Sequence, residues 1–252
     1  MKTIEKTLEY YELIMTLDNL NTTEYTLPKG YKIEFWNDNN CINDWIKIHL
    51  ETGEFASLKE AEDIFHMYYD RLYNELTKHC FFITDSKGTK IATATISPIE
   101  ENGYNCAIDW LGISVNYQGK GLGKALLSKT IALAKELGYD KLLLHTQTHT
   151  WLAVKLYLDF GFKPFNIDEK KGWQILKTLT NHKALDSFTK LNYNELFDIK
   201  IINIKNELSK IYNTFHYSVW YIDGRNDVFV NAENKFYHYK FFDNGKTLKL
   251  VK

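Results

Sequence analysis

Three glycines within six residues, in the run Gln118-Gly-Lys-Gly-Leu-Gly123, constrain this chain more than any other feature. The alternating apolar segment 107–115 precedes them and reads as a strand. The segment 124–137 follows as a helix, with Leu122, Leu126, Leu133 and Leu137 on one face and Gly138 as its C-terminal stop. Glycines at a strand-to-helix junction let successive backbone N–H groups turn toward one point, and the positive end of the helix dipole favours an anion there. Two anion-binding patterns fail against this loop. A dinucleotide-binding fingerprint starting at Gly119 needs Gly or Ala at 124, where Lys124 stands. It also needs an acidic residue closing the next strand, where the chain reads His145-Thr146. A P-loop ending at Gly123-Lys124 needs Ser or Thr at 125 and Gly at 118, and these positions hold Ala125 and Gln118. What remains is Gln-x-x-Gly-x-Gly, made by Gln118, Gly121 and Gly123.

The flanking sequence supplies the elements around this loop. Residues 9–17 and 31–36 read as strands, and 43–52 as a short amphipathic helix. Ser57-Leu-Lys-Glu60 has the form of a capping box, opening a longer helix with the stripe Leu58, Ala61, Phe65, Tyr68, Leu72 and Leu76. Strands at 80–84 and 91–99 flank the turn Asp85-Ser-Lys-Gly88. After the glycine loop, 141–146 is a strand, 150–160 a helix ended by Gly161, and 173–178 a strand. This order makes a mixed α/β (α+β) sheet flanked by helices, with one strand–helix–strand crossover between residues 107 and 146.

From about residue 183 the texture changes, which divides the chain into residues 1–182 and a smaller unit, 183–252. A helix is expected over 193–212, then short strands at 215–222, 227–230, 235–242 and 247–251. Asp223-Gly224 and Asn244-Gly245 supply hairpin turns, so the smaller unit is a helix and an antiparallel β-meander. Its aromatics, among them Trp220, Tyr221, Phe236, Tyr237 and Phe241, are expected to form its core and its contact with the larger unit.

Of 252 residues 44% are hydrophobic and 25% charged, with net charge −1. That balance offers no general attraction to nucleic acid or an anionic membrane. No run approaches the ~18 apolar residues of a membrane span, and residues 1–6 lack the apolar run of a signal peptide, so a cytoplasmic protein is expected. Cys41, Cys80 and Cys106 show neither CxxC spacing nor a histidine at a metal-site interval. His145 and His149 stand four apart across a strand end with no third ligand nearby, so no metal is expected.

The loop, with Leu111-Gly-Ile113 before it and Ala153-x-x-Leu-Tyr157-x-x-x-Gly161-Phe162 after it, resembles the GNAT superfamily of N-acetyltransferases. The resemblance covers residues 9–180 and is closest over 106–165. It implies a mixed, mostly antiparallel sheet whose fourth and fifth strands splay apart around the pantetheine arm of acetyl-CoA. It also implies that backbone groups of Leu111, Gly112 and Ile113 bind that arm, with the Ile113 N–H at the oxyanion. Gln118, Gly119, Lys120, Gly121, Leu122, Gly123 and Lys124 would then hold the pyrophosphate. Thr150, in place of the family's usual Asn, and Ala153 would flank the arm. Tyr157 matches the tyrosine that protonates the leaving thiolate, a role suited to a phenol with pKa ~10; an aromatic in the stripe Leu152, Leu156, Phe160 is the plain alternative.

Attack on a thioester requires an acceptor nitrogen freed of its proton. His145 occupies a fifth-strand position where one branch of the family carries a catalytic Glu, and equally suits a hydrogen-bonded strand histidine. Asp109 and Glu54 are its rivals. The expected activity is acetyl transfer from acetyl-CoA to a small-molecule or peptide amine by direct attack in a ternary complex. A non-catalytic acyl-CoA- or partner-binding module is the alternative, and a homodimer is conceivable through the aromatic C-terminal unit.

Overall fold

The computed structural model describes residues 4–55, 57–212, 217–222, 226–232 and 235–251. Alternating apolar segments assemble a seven-stranded sheet of β1 (Glu12–Leu17), β2 (Lys32–Phe35), β3 (Cys80–Thr84), β4 (Lys90–Glu101), β5 (Tyr104–Ile113), β6 (Leu142–Gln147) and β7 (Lys163–Pro164). Their order in space is β2-β3-β4-β5-β6-β1-β7, and every pairing is antiparallel except β5 with β6. The helices are α1 (Asn40–Thr52), α2 (Leu58–Tyr69), α3 (Leu76–His79), α4 (Leu122–Glu136), α5 (Trp151–Asp159), α6 (Lys170–Thr180) and α7 (Ile199–Ile211). A second, four-stranded sheet is formed by β8 (Tyr217–Ile222), β9 (Asp227–Ala232), β10 (Lys235–Phe242) and β11 (Thr247–Leu250), antiparallel throughout.

Two cores sandwich the larger sheet. Leu122, Leu126, Ile131 and Leu133 of α4 pack with Leu13, Met15, Leu142, Leu144, Val154 and Phe162 into one core. The other is aromatic, where Trp45 of α1 and Phe65 and Tyr69 of α2 meet Trp36 and Phe82. Each fully buried Leu or Phe contributes about 1.5–3 kcal/mol relative to exposure, so these layers hold α4 and the α1–α2 pair firmly against β3–β6. The predicted crossover is β5–α4–β6, and Gly138 (φ 90°) ends α4 by donating to Lys135 O while Tyr139 N–H reaches Ala134 O.

Four local expectations need correction. Residues 173–178 are not a strand: they lie in α6, which buries Gly172, Trp173, Leu176 and Lys177 at helical spacing. The strand β1 takes the sheet position beyond β6 instead. The helix over 58–76 breaks after Tyr69 into a 3-10 turn, Asp70–Glu75, and its buried face is Ala61, Phe65 and Tyr69. Leu58 and Tyr68 are exposed, because the α1–β3 surface meets the adjoining side of the helix. Ser57 does cap α2, accepting from the Glu60 N–H at 3.2 Å. The helix over 193–212 is interrupted, since Leu8 pairs with Phe197 as an isolated β-bridge and Asp198 then caps α7. Finally, β4 and β5 run longer than expected, into a turn at Asn102 (φ 50°) and Gly103 (φ 78°), both left-handed as such a hairpin requires.

Residues 183–198 pack on the larger unit. Leu185 lies fully buried in the main core, and Leu196 meets Leu8 and Ile175. From α7 onward a separate small core forms from Ile204, Leu208, Val228, Val230, Tyr239 and Phe241. Asn244 (φ 53°) makes the expected turn before β11. The Asp223-Gly224 turn and the side chains of Trp220, Tyr221 and Phe236 lie outside the described residues. Among the described residues no helix is long and apolar enough to cross a membrane.

Candidate functional site

The parallel pair β5–β6 holds together only at Ala107 and Leu143. Beyond that point a bulge bends β5. Asp109 pairs with Thr95 and Gly112 with Thr93, so Trp110 and Leu111 together oppose Ala94, and Trp110 adopts φ 49°. The strands part into a cavity of about 600 Å³ whose walls include β5 from Ile108 to Ile113, β6 from Leu144 to Gln147, and α5.

The glycine loop closes one end of this gap. Gly119 (φ 75°) and Gly121 (φ 80°) are left-handed, and Gly121 is the N-cap of α4, which begins with no acidic residue in its first turn and no side-chain cap. Free helical N–H groups therefore face outward at an exposed, positively polarised terminus. The Gln118 side chain donates to the Ile113 carbonyl at 2.8 Å and ties the loop to the strand end. Ser114 N–H donates to Ile91 O at 2.8 Å, so alternation along the β4–β5 ladder turns the Ile113 N–H away from β4, toward the gap. Lys120 and Lys124 lie over the rings of Tyr117 and Tyr25, at 4.6 and 5.2 Å. Leu122 is buried in the core and anchors the helix rather than lining the cavity. Backbone donors at a helix start beside a strand with a free N–H fit a pyrophosphate carrying an extended arm.

On the far wall Thr150, Ala153 and Tyr157 face the same cavity. Thr150 stands at the N-cap of α5 but makes no side-chain cap. Its hydroxyl donates to Gln147 O at 3.0 Å and pairs with Thr146 Oγ1 at 3.1 Å, so it braces the β6–α5 turn. Tyr157 is 7% exposed. Burial pushes its phenol well above the usual range, and the charge of Glu54 adds to the effect, so it stays protonated.

All three predicted proton acceptors line the cavity, in different environments. Burial raises the carboxyl of Glu54 above its ordinary value, against the opposing charge of Lys6 and a hydrogen bond from Gln147 at 3.2 Å. Burial likewise raises Asp109, partly offset by the Ser97 hydroxyl and by the charges of His145 and Arg71. His145 Nδ1 lies 3.0 Å from Glu12 and its Nε2 3.1 Å from Glu101. Burial acts to lower its pKa, but the two carboxylates outweigh this and raise it. With a carboxylate at each nitrogen the charged form of the ring is favoured over that of a free histidine.

Several cavity residues carried no signal in the sequence. Glu12 and Tyr10 come from the N-terminal strand region, brought alongside by the antiparallel pairing of β1 with β6. His49 sits inside α1 at a core position, 3% exposed, 4.3 Å from Trp45 and 5.5 Å from Trp110 between ring centroids. Burial pulls its pKa down to about 3, against hydrogen bonding to the Trp110 backbone, so the imidazole is neutral. It also explains Gly112, because a Cβ there would stand 2.8 Å from His49 Cε1.

Comparison with known proteins bears on this arrangement. Residues 42–162 match the model of the acetyltransferase (GNAT) family. Mouse N-acetyltransferase 8B is 26% identical over 117 residues, which are 45% of this chain and 47% of the mouse protein, so the match spans about half of that relative's length. YdgE, an uncharacterized N-acetyltransferase of Bacillus subtilis, is 23% identical over 164 residues, 63% of this chain and 98% of its own. A crystal structure of a GCN5-related N-acetyltransferase from Sphaerobacter thermophilus superposes with a TM-score of 0.50 at 14% identity, covering 63% of this chain and 49% of that one. That likeness is one of fold.

Proposed function

Since this chain carries a GNAT acetyltransferase domain, we propose that it transfers the acetyl group of acetyl-CoA to an amine by direct attack in a ternary complex. The observation that carries this reading is one cavity lined at once by the Gln118–Gly123 loop, the bulged end of β5, Tyr157 and a half-buried carboxylate. The N–H groups of the loop and of the α4 N-terminus take the pyrophosphate, and Ile113 N–H faces the gap where the thioester carbonyl would lie. Bound acetyl-CoA supplies the activated acyl carbon.

Glu54 is the proton acceptor in this scheme. Burial raises its pKa, which makes it a stronger proton acceptor than an ordinary carboxylate, and its charge reaches Tyr157 at the sulfur end. Tyr157, kept protonated by burial, donates to the departing thiolate. His145, its charged form favoured by Glu12 and Glu101, positions the carboxylates around it in this scheme. Release of CoA thiol in the presence of an amine panel tests the reading. Tyr157→Phe is expected to lower kcat about 10²-fold or more with CoA affinity retained. Wild-type turnover in that variant, with chemistry rate-limiting, removes Tyr157 from the mechanism.

A further inference from the structure

The cavity contains two carboxylate foci, and only one adjoins Tyr157. Glu54 forms the first, held by Gln147. Glu12 and Asp109 form the second beside His145, with Glu101 bracing the ring from outside the lining: the two glutamates hold the ring at 3.0 and 3.1 Å, and Asp109 feels its charge. Tyr10 lies between the foci, its hydroxyl pushed up by burial and then by the charges of both Glu12 and Glu54. Among the described residues no lysine or arginine lines the cavity; the charges of Lys6 and Arg71 act on Glu54 and Asp109. One histidine thus stands among three carboxylates, two of which, Glu12 and Asp109, line the cavity.

An independent observation points to a ligand beside these charges. His49 lines the cavity while nine-tenths buried, and its Nε2 has no hydrogen-bond partner. A buried polar nitrogen left in that state is unfavourable unless a ligand pairs with it. Next to it Trp110 is held in a left-handed conformation that a tryptophan rarely adopts, with its ring 5.4 Å from Tyr68. Strain of this kind persists where the surroundings over-determine it, and here it keeps Trp110 among the residues of the cavity wall.

We propose that the acceptor is a small amine with at least two cationic nitrogens. One nitrogen reaches Glu54 and Tyr157, and the other is held at the Glu12 and Asp109 focus with Trp110 and His49 beside it. This deepens the acetyltransferase reading and rests on it. The first nitrogen gives one proton to Glu54 and its lone pair bonds to the acetyl carbon; the carbon–sulfur bond breaks, the thiolate takes the Tyr157 proton, and the second proton shed by the new amide nitrogen restores the Tyr157 phenol. The second nitrogen stays an ammonium throughout. An acceptor bearing a carboxylate is repelled by the second focus.

The test uses the full chain with acetyl-CoA and three amines of matched length: 1,4-diaminobutane, butylamine and 4-aminobutyrate. CoA binding is followed separately by calorimetry. The diamine is expected to exceed butylamine in kcat/KM by about tenfold or more, the scale of one charge-assisted contact, with 4-aminobutyrate poorest. Glu12→Gln and Asp109→Asn should each shrink the diamine-to-monoamine ratio, mainly through KM for the diamine. Equal kcat/KM for diamine and monoamine, a preference for 4-aminobutyrate, or a ratio untouched in both variants overturns the proposal while acetyl transfer itself stands. CoA binding with none of the three amines acetylated overturns the proposal alone. No CoA binding at all removes the acetyltransferase reading together with it.

Discussion

Gly112→Ala adds a single methyl group, yet the contacts around it make it a severe change. The backbone at 112 lies outside the left-handed region, so the substitution brings no conformational strain, only a contact. The new Cβ would stand 2.8 Å from His49 Cε1 and 3.1 Å from Nδ1, where carbon atoms settle at about 3.5–4.0 Å. His49 has nowhere to yield, being wedged between Trp45 at 4.3 Å, Trp110 at 5.5 Å and Phe55 at 6.2 Å. Overpacking of this kind costs about 1–3 kcal/mol, and each kcal/mol lowers Tm by roughly 2–4 °C in a chain of this size. The strain is relieved chiefly by displacing β5, which carries the Ile113 N–H one residue away. Misplacement of a reacting geometry by about 1 Å costs on the order of 10²-fold in rate, so kcat should fall at least tenfold. Thermal melts and CoA-release kinetics measure both effects. His49→Ala in the Gly112→Ala background should restore part of the lost Tm, a coupling that a double-mutant cycle isolates. A Gly112→Ala protein with unchanged Tm and kcat/KM, or a cycle whose two effects simply add, refutes the proposed contact between His49 and β5.

Gly121→Asp places a side chain at φ 80° and a negative charge on the N-cap of α4, and calorimetry should then detect no CoA binding to the folded protein. The Glu54 carboxyl is raised above its ordinary value, so the acidic limb of kcat/KM against pH should lie above the usual carboxylate range, with activity lost as pH falls through it. Glu54→Gln should lower the rate and abolish that limb; a limb that persists in the variant assigns the titration to another group. Leu185 is fully buried in the main core, so Leu185→Ala should cost about 2–5 kcal/mol in a denaturant titration, whereas a loosely tethered segment would lose almost nothing.

Much of the fold was legible because short-range patterns encode it. The β5–α4–β6 crossover follows from an apolar alternation, a glycine run and a 3.6-residue stripe, all contiguous in the chain. The turn at Asp85–Gly88 and the Ser57 cap likewise depend on neighbours a few residues apart. Residues 173–178 misled because a short apolar run suits strand and helix alike, and only the occupation of the neighbouring sheet position by β1 decided between them.

The candidate site divides along the same line. Local chain order determined the glycine loop, its junction with α4 and the placement of Tyr157 on the following helix, since backbone conformation and helical spacing suffice to specify them. Tertiary structure alone decided the charge states and the company of the polar groups. The pKa of His145 is raised because β1 brings Glu12 beside it and the β4 end brings Glu101. Glu54 gains its raised pKa from burial. His49 meets Gly112 only because α1 packs across the bulge in β5. Protonation and desolvation depend on everything within a few ångströms in space, and those neighbours lie tens of residues or more away along the chain.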